Sequence, residues 1–142
     1  MKKLALMMVA VMIASLTFAQ KLQEKDVPIP VKTALKKQYQ NTKALKWEKE
    51  GENFEAEFEL NKTEQSVLFD AQGNILETEV EIEINQLPNT IEEYVKTNYK
   101  RQSIKETAKI TNGNGDVTYE VEIKGMDLIF DSNGKFIKEV KN

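Results

Sequence analysis

Phe54-Glu55-Ala56-Glu57-Phe58-Glu59-Leu60 decides the fold. Apolar residues stand at every second position and a glutamate separates each pair. That is the period of a β-strand with one apolar and one wet face. The pattern recurs in Glu79-Val80-Glu81-Ile82-Glu83-Ile84 and in Tyr119-Glu120-Val121-Glu122-Ile123. Strict alternation points to antiparallel sheet rather than to parallel strands buried on both sides. Turn chemistry punctuates these runs at Glu50-Gly51-Glu52-Asn53, Gln72-Gly73-Asn74, Lys124-Gly125 and Asn133-Gly134. Strands are predicted at about 44–50, 53–60, 65–70, 74–84, 105–111, 116–124, 126–131 and 135–140. Asn112-Gly113-Asn114-Gly115-Asp116 reads as a longer, flexible loop.

Outside the strands, two segments carry helical spacing. Val31, Leu35 and Tyr39 fall at i, i+4 and i+8, and so do Ile91, Val95 and Tyr99, with Tyr94 on the flank. Pro28, Pro30 and Pro88 sit at or before a helix start, where proline is tolerated, and Asn89 or Thr90 can cap the second helix. These segments are copies. Val27-Pro28 is answered sixty residues on by Leu87-Pro88, and Leu68-Phe69-Asp70-Ala71-Gln72-Gly73 sixty-one residues on by Ile129-Phe130-Asp131-Ser132-Asn133-Gly134. The fold class predicted is α+β: two tandem units, 27–86 and 87–142, each a helix followed by four antiparallel strands, with the helices packed on the apolar face and the acidic face open.

Ahead of the repeat lies a different kind of sequence. Lys2 and Lys3 are followed by an apolar run from Leu4 to Ala14 and then by Ser15-Leu16-Thr17-Phe18-Ala19-Gln20. Residues 1–19 read as a signal peptide cut after Ala19. The apolar run is shorter than the roughly 20 residues that span a bilayer, so no stable membrane insertion is expected after cleavage. The mature chain is then periplasmic or secreted. Residues 20–26 read as a loose polar lead.

The Pro-led helices ending in Tyr (Pro28 to Tyr39, Pro88 to Tyr99), the aromatic-acidic strands at 54–58 and 119–123, and the twice-used Phe-Asp-x-x-Gly closure (Phe69 to Gly73, Phe130 to Gly134) resemble the PepSY-like, β-lactamase-inhibitor-like family of exported bacterial proteins. The resemblance covers residues 27–140. It implies tandem units whose strands join into one curved sheet, and a binding role. The family's namesake inhibitor grips a β-lactamase with its concave face, and PepSY domains also occur in propeptides of thermolysin-type proteases. This chain departs from the inhibitor in having no cysteine where that protein has disulfides, and it has no matching inhibitory loop.

Composition narrows the chemistry. There is no histidine and no cysteine, which removes Ser-His-Asp and Cys-His catalysis and the commonest metal ligands. The only arginine is Arg101, and the net charge is −3. Nucleic acid, whose phosphates call for Arg and Lys, is excluded as a partner. Asp70-Ala71-Gln72-Gly73-Asn74 and Asp131-Ser132-Asn133-Gly134-Lys135 lack the intermediate oxygen ligands of a calcium loop and read as turns. No catalytic residue, cofactor or metal is assigned.

What remains is carboxylate density. Glu55, Glu57, Glu59, Glu77, Glu79, Glu81, Glu83, Glu120 and Glu122 share the polar sides of their strands. Such a face can steer a basic protein or peptide. It can also be a solvated surface with interspersed lysines, and on residue pattern alone that reading weighs more. Trp47 is a further candidate contact, because the alternation through Leu45 and Trp47 fails at Lys49. The reading is therefore an exported, non-enzymatic protein that binds a protein or peptide through Glu55, Glu57, Glu59, Glu79, Glu81, Glu83, Glu120, Glu122 and Trp47, as an inhibitor or chaperone-like modulator of an envelope enzyme. Two alternatives stand beside it. One is a carboxylate-based hydrolase, whose paired acids lie roughly 5–10 Å apart. The other is a structural or cation-binding envelope protein.

Overall fold

The computed structural model describes residues 19–142. The proposed cleavage segment lies almost wholly outside the described residues. All strands join one antiparallel sheet in chain order: β1 (Gln20–Leu22), β2 (Lys43–Glu50), β3 (Asn53–Leu60), β4 (Thr63–Phe69), β5 (Ile75–Glu81), β6 (Glu106–Asn112), β7 (Val117–Ile123), β8 (Met126–Asp131) and β9 (Phe136–Lys141). Helix α1 (Ile29–Gln38) lies between β1 and β2, and α2 (Asn89–Asn98) between β5 and β6.

Sheet register explains the packing. Trp47 pairs with Ala56, Ala56 with Val67, Val67 with Thr78 and Thr78 with Thr111. Thr111 pairs with Val117, which shares its side of β7 with Tyr119, Val121 and Ile123. These positions therefore lie on one face. Val31 and Leu35 of α1 pack there with Trp47, Phe54, Phe58, Val67 and Phe69. Ile91 and Val95 of α2 pack on the same face with Val121, Ile123, Leu128 and Phe130. Two apolar clusters thus lie side by side under one sheet.

The duplication extends to details. Each helix is preceded by a 3-10 turn, Glu24–Asp26 or Ile84–Gln86, that leads into a buried Val27 or Leu87. Pro28 and Pro88 open the helices, and the amides of Tyr39 and Tyr99 donate to the carbonyls of Leu35 and Val95. Two residues later, Asn41 and Arg101 take positive φ (63° and 70°) to turn the chain toward the sheet.

Several expectations change. The loose lead is in fact a strand: Gln20–Leu22 pairs with Glu48 and its neighbours on β2, and Leu22 lies against the first core. Among the described residues the sheet accordingly has nine strands. Strand β4 begins at Thr63 because Asn61 and Lys62 both take positive φ in a tight hairpin turn without glycine. Strand β5 stops at Glu81, so Glu83 is exposed at the 3-10 turn and leaves the sheet face. Neither Asn89 nor Thr90 caps α2 through its side chain. The Thr90 hydroxyl instead lies 3.5 Å from the carbonyl oxygens of Asn133 and Gly134. The 112–116 segment is a closed turn, in which Asn112 Oδ1 accepts from the amides of Asn114 and Asp116, each at 2.9 Å.

Candidate functional site

The face opposite the helices is built by the same register. Glu48 pairs with Glu55 across β2–β3, Glu57 with Ser66 across β3–β4, and Ser66 with Glu79 across β4–β5. Farther on, Glu81 pairs with Ala108, Ala108 with Glu120, Glu106 with Glu122, and Glu122 with Asp127. Glu59 pairs with Glu64 on β4, so the strand alternation assembles carboxylates from all strands β2 to β8 on one surface.

This surface is not uniformly open, which corrects the expectation from sequence. Glu79 is 1% exposed, Glu55 2%, Asp127 2% and Glu120 7%. Between them Ser66, Leu68, Ala108, Ile110 and Ile129 are buried as well. The acidity of Glu79 responds to Glu120, Glu55, Glu77 and Asp127, which come from four strands. On a flat sheet, three strands would separate Glu79 from Asp127 by about 14 Å. Twist and coiling of a long antiparallel sheet bring such positions together. The strands thus bury the middle of their own polar face. Glu57, Glu59, Glu81 and Glu122 remain half-buried around it.

The buried carboxylates lack cations. Among the described residues the ion pairs are Lys96–Glu92 on α2 and Lys105–Glu122 at the edge of this face, each at 3.6 Å. Glu55 Oε1, Glu77 Oε1, Glu79 Oε2, Glu120 Oε2 and the Ser66 hydroxyl have no hydrogen-bond partner. Burial and mutual repulsion therefore favour the protonated acids. Burial, then the charges of Glu50 and Glu57, pushes Glu55 up to about 8. Burial, then Asp127 and Glu122, pushes Glu120 up to about 8. Glu77 and Glu106 are pushed to about 7, in both cases chiefly by burial. Glu79 is driven well above its ordinary value by burial and then by Glu120.

The other sequence candidates separate from this group. Trp47 is 5% exposed inside the first core, so it is a packing residue and not a contact on the surface. A bulge between Lys43 and Lys46, with Ala44 at φ 53°, shifts the β2 register and leaves Leu45 exposed in its place. From Lys46 to Glu50 the pairing with β3 is regular, so Trp47 and Lys49 share one side of β2 and the lysine at 49 does not turn Trp47 outward. The turn carboxylates serve the backbone: Asp70 Oδ1 accepts from the amides of Gln72 and Asn74, and Asp131 Oδ1 from those of Asn133 and Lys135, all at 2.9 Å. Sequence reasoning passed over Glu48, Ser66, Glu106 and Asp127. Their positions opposite glutamates appear only once strand register is known. A hollow of about 80 Å³ beside the bulge is lined by Lys46, Glu57, Glu59 and Glu64. Drug-sized ligand pockets are about 300 Å³ or more.

A protein-family model described as "Putative beta-lactamase-inhibitor-like, PepSY-like" matches the chain twice, at residues 17–77 and 59–138. A BLIP-like protein from Bacteroides fragilis has a similar structure, with 29% identity and a TM-score of 0.64 over 79% of this chain and 84% of that one. A "putative periplasmic protein" from Bacteroides eggerthii superposes with a TM-score of 0.73 over 81% of this chain and 88% of that one, at 14% identity. The latter likeness is one of fold. No curated protein matches the chain significantly.

Proposed function

The chain belongs to the PepSY-like, beta-lactamase-inhibitor-like family, and from that premise we propose an exported, non-enzymatic binding protein whose acidic sheet face receives a basic segment of a protein or peptide. The observation that carries this reading is the gathering of carboxylates from seven strands on one face with few cations to balance them. Half-buried Glu57, Glu59, Glu81 and Glu122 are the groups a partner would meet. Buried Glu55, Glu79 and Glu120 lie beneath them. When ionised they add to a field that steers cations to this face. The two units are read as residues 27–86 and 87–142, each a helix with four strands. Export to the periplasm or beyond fits the signal-like residues 1–19 and the description of the Bacteroides eggerthii relative. By analogy with the family's namesake, the bound protein would be an envelope enzyme that this chain inhibits or holds.

Hydrolysis fits less well. A carboxylate hydrolase sets one raised acid beside one ionised carboxylate in a substrate-sized cleft. Here the central acids are all raised together.

The test is a comparison of the wild type with a Glu57→Lys, Glu81→Lys, Glu122→Lys variant. Binding partners are taken from an envelope fraction, and association is followed with the purified partner. Because the three glutamates are half-buried, the variant's melting curve is measured first, and the binding comparison is made with the folded protein. The variant should associate at least tenfold more slowly, with a flatter salt response. Equal rates and equal salt response would reduce these glutamates to a solubilising role.

A further inference from the structure

Glu48, Glu55 and Glu57 each offer a carboxylate oxygen, and the three oxygens lie within 4.8 Å of one another. Glu48 and Glu55 are direct partners across β2–β3, and Glu57 stands two residues along β3 on the same face. Ligand oxygens held about 2.3–2.6 Å from a calcium ion lie at most about 5 Å apart, so the cluster has the dimensions of a single ion's shell.

Acidic residues alone would not make a site, but this cluster has a buried orphan at its centre. Glu55 is 2% exposed and its Oε1 has no hydrogen-bond partner. Ser66, directly across from Glu57, is fully buried and its hydroxyl is also unpartnered. No lysine or arginine among the described residues forms an ion pair with the trio. Burying a polar group without a partner is costly, and burying an unpaired charge more so. Glu48 and Glu57 are half-buried, leaving the cluster within reach of solvent.

The second unit provides an internal contrast. Its register places Ala108 opposite Glu120, where the first unit has Glu48 opposite Glu55. Glu122 stands two residues from Glu120, as Glu57 does from Glu55. A carboxylate at the position of Glu48 is therefore present only in the first unit, where the second has Ala108.

We propose that Glu48, Glu55 and Glu57 form a site for a divalent, oxygen-preferring cation of the calcium class, completed by the Ser66 hydroxyl or water. The donor set decides the class. Carboxylate and hydroxyl oxygens suit hard cations, and a chain without histidine or cysteine offers no ligand that favours zinc or copper. Three strand-borne carboxylates also suit the adaptable shell of calcium better than the strict octahedron of magnesium. The site shares Glu55 and Glu57 with the docking reading, but calcium titration needs no protein partner, so either reading can fail without the other.

Calorimetric titration of the chelator-treated protein with calcium chloride tests the proposal, with sodium chloride matching the ionic strength. Calcium should bind once per chain with a Kd on the order of 10⁻⁴–10⁻³ M. At about 10 mM it should raise Tm by a few degrees, as expected for a ligand specific to the folded state. Glu55→Gln should weaken binding at least tenfold, and Glu48→Ala should do the same by giving the first unit the pattern of the second. Glu120→Gln should bind as the wild type does. Absence of saturable calcium binding would overturn the proposal. So would equal binding by Glu55→Gln and Glu48→Ala, which would mark diffuse attraction to the acidic face. Magnesium binding more tightly than calcium would overturn the assigned class.

Discussion

At the scale of the residue, the telling group is Glu120. Its ordinary value is 4.5, and burial with Asp127 and Glu122 beside it raises this to about 8 in the folded chain. Below about 4.5 both folded and unfolded chains hold the proton and nothing is lost. Between 4.5 and 8 the unfolded chain has released a proton that the folded chain still binds, so stability falls as pH rises. The groups that face Glu120 are Asp127 on β8, Glu122 on its own strand, Glu77 and Glu79 on β5 and Glu106 on β6. All are carboxylates, and all push the same way. At about 1.4 kcal/mol per pKa unit, the loss for this residue is on the order of a few kcal/mol. In a chelating buffer, the wild type should therefore melt at a lower temperature at pH 8 than at pH 5. Glu120→Gln, which has no proton to lose, should reduce that difference and melt higher than the wild type at pH 8. A wild type more stable at pH 8 would show that the central carboxylates are ionised and compensated. The glutamates themselves were legible in the sequence, because their period of two assigns them to one face. Which of them are buried was not. Glu55 and Glu57 are neighbours in one pattern, and only the convergence of distant strands makes the first inaccessible and leaves the second half-buried.

At the scale of the element, each Phe-Asp-x-x-Gly turn is seated on the first turn of its own unit's helix. Gly73 has φ 86°, and a Cβ added there would stand 2.7 Å from the carbonyl oxygen of Pro30. Gly134 has φ 81°, and its Cβ would overlap the Thr90 hydroxyl. Gly115 has a similar φ of 89° but nothing within 4 Å. Gly115→Ala should cost only the backbone strain, about 1 kcal/mol. Gly73→Ala and Gly134→Ala should add about 1–3 kcal/mol for the steric conflict. Chemical denaturation of the three variants separates the two effects, and equal losses in all three would remove the contact between turn and helix. These turns and the helices were legible because glycine, proline and apolar spacing act locally. Strand β1 was not, since Gln20-Lys21-Leu22 carries no strand pattern and is held by pairing with a remote strand. The β2 bulge escaped for a related reason: Ala44 takes positive φ without any residue type that advertises it. Trp47 itself lies in regular register, and it was misread because Lys49, on the same side of β2, breaks the apolar pattern without breaking the strand.

At the scale of the whole molecule, the question is whether a duplicated chain behaves as one cooperative unit. The two apolar clusters share no buried residue, which favours independence. Strand β5 argues the other way. Ile75 near its start packs on the first cluster, while Ile82 just past its end packs on the second. The strand also pairs over five positions with β6, from Glu77–Asn112 to Glu81–Ala108. On the opposite face, Glu79 of β5 lies among carboxylates drawn from both units. Separating the units would open a backbone ladder, expose both ends of this strand and rehydrate the acidic centre at once. Cooperativity should therefore prevail, with a single unfolding transition. Phe69 and Phe130 are fully buried, one in each cluster. Truncating either to Ala should lower that one transition by about 3–5 kcal/mol, the usual cost of removing a large core aromatic. Calorimetry checks this directly, because the calorimetric and van't Hoff enthalpies should agree in the wild type and in both variants. Two resolved transitions, one moved by Phe69→Ala and the other by Phe130→Ala, would instead mean that each helix stabilises only its own strands and that β5 transmits nothing between them.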